Sequence, residues 1–179
     1  TVNPATPTTF ALRIRMPGWC RNALLRLNGK IISRPTISNR YIVINRQWSN
    51  NDQVIFTMAM PVMRTEANPS VAADTGRVCV QRGPVIFAIE SVDNGGGSLQ
   101  DPVLSASPNF QATYNSGFLN GVEVITADKQ GGGQMTLIPY YATANRTTGT
   151  TWHRIWLQQQ NKTIRASGWD DRLYREYSP

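Results

Sequence analysis

Residues 76–90 read GRVCVQRGPVIFAIE. Two apolar runs, Val78-Cys79-Val80 and Val85-Ile86-Phe87-Ala88-Ile89, flank Arg82-Gly83-Pro84. Both runs are rich in β-branched residues and short enough for buried strands. Gly83 relaxes the backbone, while Pro84 fixes φ and removes a donor, so the Arg-Gly-Pro step reads as a bulge or tight kink between two strand segments. The rest of the chain reads as strands wrapped around this buried pair, which makes the protein a β-sandwich.

Upstream, Phe10-Ala11-Leu12-Arg13-Ile14-Arg15-Met16 alternates, with Phe10, Leu12, Ile14 and Met16 on one face. Pro17-Gly18 ends it. Ala23-Leu24-Leu25-Arg26-Leu27 is a second strand, closed by the hairpin signal Asn28-Gly29 and returning through Lys30-Ile31-Ile32. Tyr41-Ile42-Val43-Ile44 and residues 53–60 are further strands, the latter stopped by Pro61. Short strands at regular intervals with turn chemistry between them indicate a sandwich or barrel.

Downstream the composition changes. Residues 93–98, DNGGGS, form the most flexible stretch and the best internal boundary. Residues 99–120 carry no long apolar run and read as loop-rich. Strands follow at residues 121–125 and from Met135, with a glycine loop at 130–134 and a polar loop at 142–151. Trp152-His153-Arg154-Ile155-Trp156-Leu157 alternates, which places Trp152, Arg154 and Trp156 on one face. The tail is expected to hold a strand around 163–166 and a short helical turn around 170–174. The expected architecture is thus an all-β, antiparallel, jelly-roll-like sandwich. A first unit spans residues 1–93, a second, smaller β-unit at 94–160 is inserted into or packed on it, and the tail at 161–179 returns to the sandwich.

The chain has 179 residues and a formal net charge of +7. Its arginines, from Arg13 to Arg175, are scattered rather than gathered on one element, and no aromatic RNA-binding signature accompanies them, so nucleic acid is not an expected partner. No apolar run reaches membrane-spanning length and no signal peptide is visible. The opening TVNPATPTT reads as a linker, or as a cut inside a longer chain.

Few residues point to chemistry. Cys20 and Cys79 sit in apolar or strand-like sequence and read as buried free thiols, a disulfide requiring that their strands be neighbours. No C-x-x-C occurs and His153 is the only histidine, which argues against zinc and against a Ser–His–Asp site. The glycine runs at 95–97 and 131–133 lack the Lys-Ser/Thr of a phosphate loop. A glycosidase needs two carboxyl groups across a cleft, and Glu66 and Glu90 are the candidates. Their plainer reading is strand-end and loop residues making hydrogen bonds or ion pairs with nearby arginines. Trp152, Trp156 and Tyr140 form a candidate carbohydrate platform, core or interface packing being the alternative.

Several segments together resemble the C-terminal β-sandwich region of glycoside hydrolase family 127, the β-L-arabinofuranosidase-like enzymes. They are Phe10-Ala11-Leu12-Arg13-Ile14-Arg15-Met16-Pro17-Gly18-Trp19, Leu27-Asn28-Gly29, Tyr41-Ile42-Val43-Ile44-Asn45-Arg46-Gln47-Trp48 with Asp52, Met60-Pro61-Val62-Met63-Arg64, the whole of residues 76–90, Leu137-Ile138-Pro139-Tyr140-Tyr141, Asn145-Arg146 and Trp156-Leu157. The resemblance implies an N-terminal (α/α)6 barrel elsewhere in the polypeptide that carries catalysis with a cysteine nucleophile, a zinc site and acidic residues. Cys20 and Cys79 lie outside that cysteine motif, so no catalytic, cofactor or metal residue is expected in this chain. It further implies a smaller sandwich inserted into the first and a periplasmic or extracellular setting. The tail after Gln158 matches nothing in the resemblance.

The expectation is therefore a non-catalytic accessory region of a larger bacterial glycoside hydrolase, with the barrel of the same polypeptide as its partner. The alternatives are a carbohydrate-binding module using Trp152, Trp156 or Tyr140, and a small enzyme using Glu66 or Glu90.

Overall fold

The computed structural model describes residues 1–96, 102–146 and 151–178; Gly97 and Ser98 of the expected boundary, and residues 147–150 of the expected polar loop, lie outside them. The strands are β1 (Thr8–Arg15), β2 (Ala23–Leu27), β3 (Lys30–Ile31), β4 (Thr36–Ser38), β5 (Tyr41–Trp48), β6 (Val54–Met58), β7 (Val62–Ala67), β8 (Arg77–Arg82), β9 (Val85–Glu90), β10 (Val103–Leu104), β11 (Phe110–Asn115), β12 (Val122–Asp128), β13 (Gln134–Pro139), β14 (His153–Arg154), β15 (Trp156–Gln159) and β16 (Tyr174–Glu176). Helical structure among the described residues is confined to two 3₁₀ turns, Ser91–Asp93 and Tyr140–Ala142. The fold is all-β and sandwich-like, as expected. Its chain divides into two compact units, Thr1–Met60 and Pro61–Pro179.

The first unit holds two three-stranded antiparallel sheets, β1-β5-β4 and β3-β2-β6. Register explains its burial. Leu12 lies opposite Ile44 and Ile14 opposite Ile42, so the alternation seen in the sequence becomes one apolar face. Trp48 closes that face: its indole N–H donates to the Phe10 carbonyl at 3.0 Å, and its ring stacks on Phe10 at 5.7 Å. In the other sheet Leu25 is buried opposite Phe56. Asn28 and Gly29 both take positive φ (48° and 78°), the type I′ geometry that their dipeptide favours. Asn39 and Arg40 form a second such turn (48° and 64°) between β4 and β5. Asp52 ties the turn after β5 to the β2–β3 hairpin. Its carboxylate accepts the Ser49 N–H (2.8 Å) and the Asn28 amide (2.6 Å), while Asn28 Oδ1 accepts the Gln53 N–H (2.7 Å). The Ser49 and Asn28 hydrogen bonds, aided by the nearby Arg46 charge, hold the Asp52 carboxyl below its usual range.

The second unit is one large sheet along the path β10-β15-β8-β9-β13-β12-β11, with β7 on the far edge of β8 and β16 on β7. Its pairs are antiparallel except β10–β15. Arg82-Gly83-Pro84 does separate two strand segments, but as a full reversal rather than a bulge or tight kink. Arg82 pairs with Val85, which makes Gly83-Pro84 a two-residue hairpin turn between β8 and β9. Gly83 takes φ +57°, and proline's fixed φ suits the second position of a type II′ turn. The hairpin then splays. Beyond three paired residues, β15 fills in along β8 at Cys79–Arg77, and β14 along β9 at Glu90–Ile89.

Both faces of β9 are buried toward its end, which is why residues 85–89 form an unbroken apolar run rather than an alternating one. Phe87, Ile89, Val78, Val80, Ile125, Leu137 and Leu157 build the main core. On the opposite face Ile138 and Val122 pack with Ala142, flanked by Phe118 and Leu119.

Four expectations change. The division falls at Met60 rather than at 93–98, because β9 pairs with β13 in one sheet across that loop. For the same reason no separate unit spans 94–160. Residues 110–115 are a strand despite their sparse apolar content. β11 is an edge strand with most residues exposed, and six residue pairs with β12 hold it in place. Residues 163–166 form no strand, and residues 170–173 are turns and bends rather than helix. The tail returns instead through β16, which pairs with Thr65–Ala67.

Candidate functional site

The two carboxylates singled out in the sequence are both buried. Glu90 ends β9 on the face opposite Ile89 and is 1% exposed. Its Oε1 accepts the Ala144 N–H at 2.6 Å, and its Oε2 pairs with the Arg146 guanidinium. Arg146 also pairs with Asp93, whose Oδ1 accepts from Nη1 at 2.7 Å, and its guanidinium lies 4.5 Å from the centre of the Phe118 ring. Hydrogen bonding to Asp93, then to Glu90, raises the Arg146 pKa further against the opposing effect of burial. Asn94 completes the knot, donating to the Glu90 and Thr136 carbonyls (2.8 and 3.0 Å) and accepting the Thr136 N–H (2.9 Å).

Glu66, in β7, is 3% exposed. Its Oε1 accepts from Arg175 Nε at 2.8 Å and its Oε2 from Lys162 at 2.5 Å. Arg175 lies over the Trp169 ring at 3.8 Å and Lys162 over the Tyr177 ring at 4.7 Å. Burial pushes the Glu66 carboxyl up, but the Lys162 and Arg175 hydrogen bonds and charges outweigh it and hold the pKa below 4.5. A general acid or base must reach a substrate proton. Both oxygens of each glutamate are already engaged inside the protein, so the plainer reading, carboxylates paired with cations, is what the structure shows.

Trp156, in β15, stacks on Tyr174 of β16 at 5.6 Å. Tyr140 lies against the His153 ring at 5.9 Å. Trp152 is 56% exposed, its backbone fixed by Ser91, whose N–H donates to the Trp152 carbonyl at 2.9 Å. The single alternating strand expected over 152–157 is interrupted at Ile155, where pairing passes from β9 to β8.

Sequence reading missed a shallow groove of about 340 Å³ lined by Leu119, Asn120, Val122, Tyr141, Ala142 and Asn145.

Cys20 and Cys79 are free, Cys20 half-buried and Cys79 buried. Burial, the larger effect, and the Asp74 charge push the Cys79 thiol up to about 12. Titration with an aromatic disulfide at pH 8 is expected to modify Cys20 first and Cys79 only after unfolding; rapid modification of both would contradict this. Among the described residues no three His, Cys, Asp or Glu side chains gather as a metal site would. No helix among them is long and apolar enough to cross a membrane.

Comparison with known proteins places these observations. The glycoside hydrolase family 127 C-terminal domain matches residues 62–158, and the GH127 middle domain of β-L-arabinofuranosidases matches residues 1–60. A non-reducing end β-L-arabinofuranosidase of Bifidobacterium longum subsp. longum is 29% identical over 82% of this chain and 26% of its own length. The crystal structure of a GH127 β-L-arabinofuranosidase from Geobacillus stearothermophilus T6 is similar, with a TM-score of 0.79 and 32% identity over 88% of this chain and 28% of that one. A second GH127 β-arabinofuranosidase superposes with a TM-score of 0.76 and 28% identity over 85% of this chain and 28% of its own. The chain thus spans about a quarter of the length of each of these relatives.

Proposed function

The chain belongs to glycoside hydrolase family 127, and from that we propose that it is the non-catalytic middle and C-terminal β-region of a larger β-L-arabinofuranosidase-like enzyme. Its role is to pack on the catalytic part of the same polypeptide, support it and shape one side of the substrate cleft. The observation that carries this reading is a coincidence of boundaries. The two family domains meet between residues 60 and 62, where the fold itself divides. The relatives' greater length leaves room for a catalytic part, and among the described residues the two candidate carboxylates, Glu66 and Glu90, are both engaged in internal ion pairs.

An immunoblot of source cells with an antibody to this chain tests the reading. The expected band lies far above 19.9 kDa. A band at that mass, or robust arabinofuranosidase turnover by the 179-residue chain, would overturn it.

The exposure of Trp152 favours a second reading, in which the region also contacts the glycan on which the enzyme acts. Tryptophan fluorescence that does not respond to millimolar arabinan oligosaccharide would count against it.

A further inference from the structure

We infer that the groove between residues 118–122 and 141–145 is a binding subsite for a neutral sugar residue, with Tyr141 as the stacking platform and Asn120 and Asn145 as the hydroxyl-reading amides. The inference deepens the glycan-contact reading and moves the contact away from Trp152, Trp156 and Tyr140.

Three observations converge on it. The first is chemical. The groove presents a phenol ring that is 70% exposed, two side-chain amides, and apolar walls from Leu119, Val122 and Ala142, with no charged side chain among its lining residues. An aromatic face takes the C–H face of a pyranose or furanose ring, and an amide both donates to and accepts from hydroxyls. Such a surface suits a polyhydroxylated neutral ligand and offers nothing to an anion. At about 340 Å³ the groove lies at the lower end of the small-ligand range.

The second is backbone strain. Leu119, Asn120 and Gly121 are consecutive residues in the left-handed region (φ 50°, 62° and 100°), and Ala144 on the opposite rim is there too (φ 61°). Leucine and alanine are poor occupants of that region, and such conformations persist only where the surroundings impose them. All four positions line or adjoin this one groove.

The third is what imposes them. The Ala144 N–H is held by Glu90, and Arg146, two residues on, is held by Glu90 and Asp93. The same guanidinium lies on Phe118, at the root of the other rim. One half-buried cation therefore sets the position of both walls, and the side chains between them are presented without a large ordering cost on binding.

The test is an amide-resolved NMR titration of the intact chain with 1,5-linked L-arabinotriose. Saturable shifts of the Asn120 and Asn145 side-chain amides are expected, with a dissociation constant in the millimolar range. Tyr141→Ala, at an exposed position, is expected to weaken binding about tenfold and to leave the thermal transition in place. Asn145→Ala gives an independent reading should the first variant disturb the fold, and Trp152→Ala is expected to leave binding unchanged. Absence of saturable shifts up to about 20 mM sugar, or full binding in both groove variants, would overturn the assignment. Failure of the accessory-region reading shows itself separately, in the mass of the native polypeptide.

Discussion

Arg146→Met is expected to lower the unfolding free energy of the 61–179 unit by about 3–5 kcal/mol. The methionine roughly preserves the aliphatic volume against Phe118 but removes the cation shared by Glu90 and Asp93. Glu90 then stays 1% exposed with one oxygen unpaired. Loss of one partner from a buried pair costs more than the pair itself contributes, because the remaining charge keeps its desolvation cost. The measurement is a urea midpoint at pH 7, read by fluorescence and circular dichroism together so that a partial transition is seen as such. A loss under about 1 kcal/mol would mean that the pair behaves as an exposed one. The double variant Glu90→Leu with Arg146→Met separates the two cases, since removing both charges should recover much of the loss.

Glu66→Gln is expected to cost a similar amount, about 3–5 kcal/mol at pH 7, and to alter the acid limb of the stability curve. Lys162 and Arg175 would lose their shared counter-charge while Lys162 remains 4% exposed. The folded-state carboxyl is held below 4.5, so its contribution is present above that pH and is lost as pH falls through the folded-state value. Wild type and variant should therefore differ most near neutrality and converge in strong acid. Urea midpoints at pH 7 and pH 3 check this; an equal difference at both pH values would show that the amide costs stability through packing rather than charge. Because the cations come from the tail, limited proteolysis should cut the variant first between residues 160 and 178.

The elements legible in the sequence are those whose signal is local. Asn28-Gly29 carries its turn in its own dihedral preferences, and the run ending in Glu90 carries its burial in five successive apolar side chains. β11 and β16 have no such signal. Phe110-Gln111-Ala112-Thr113-Tyr114-Asn115 is a strand because β12 pairs with it, and Tyr174-Arg175-Glu176 because β7 does. Pairing of that kind is a tertiary fact that overrides propensity. The boundary was misplaced for a related reason. Glycines at 95–97 read as a link between domains, but β9 before them and β13 after them pair in one sheet. The more telling sign was Pro61, which stops β6 and cannot donate to a ladder. For the candidate site, Glu66 and Glu90 were correctly singled out as carboxylates that arginines would engage. Their partners stayed hidden because they lie 56 to 109 residues away along the chain.

That separation governs the order of events during synthesis. The first unit closes on short spans: Trp48 reaches back 38 residues to Phe10 and β6 pairs with the nearby β2, so its sheets can assemble once β6 leaves the ribosome. The second unit has to wait. Glu66 emerges 109 residues before Arg175, roughly 5–20 s earlier at ordinary elongation rates. Through that interval the outer edge of β7 has no strand to pair with, and its carboxylate has no cation until Lys162 emerges, 96 residues after it. A chain stalled short of Arg175 presents a bare sheet edge, the surface on which nascent β-proteins aggregate and which chaperones cover.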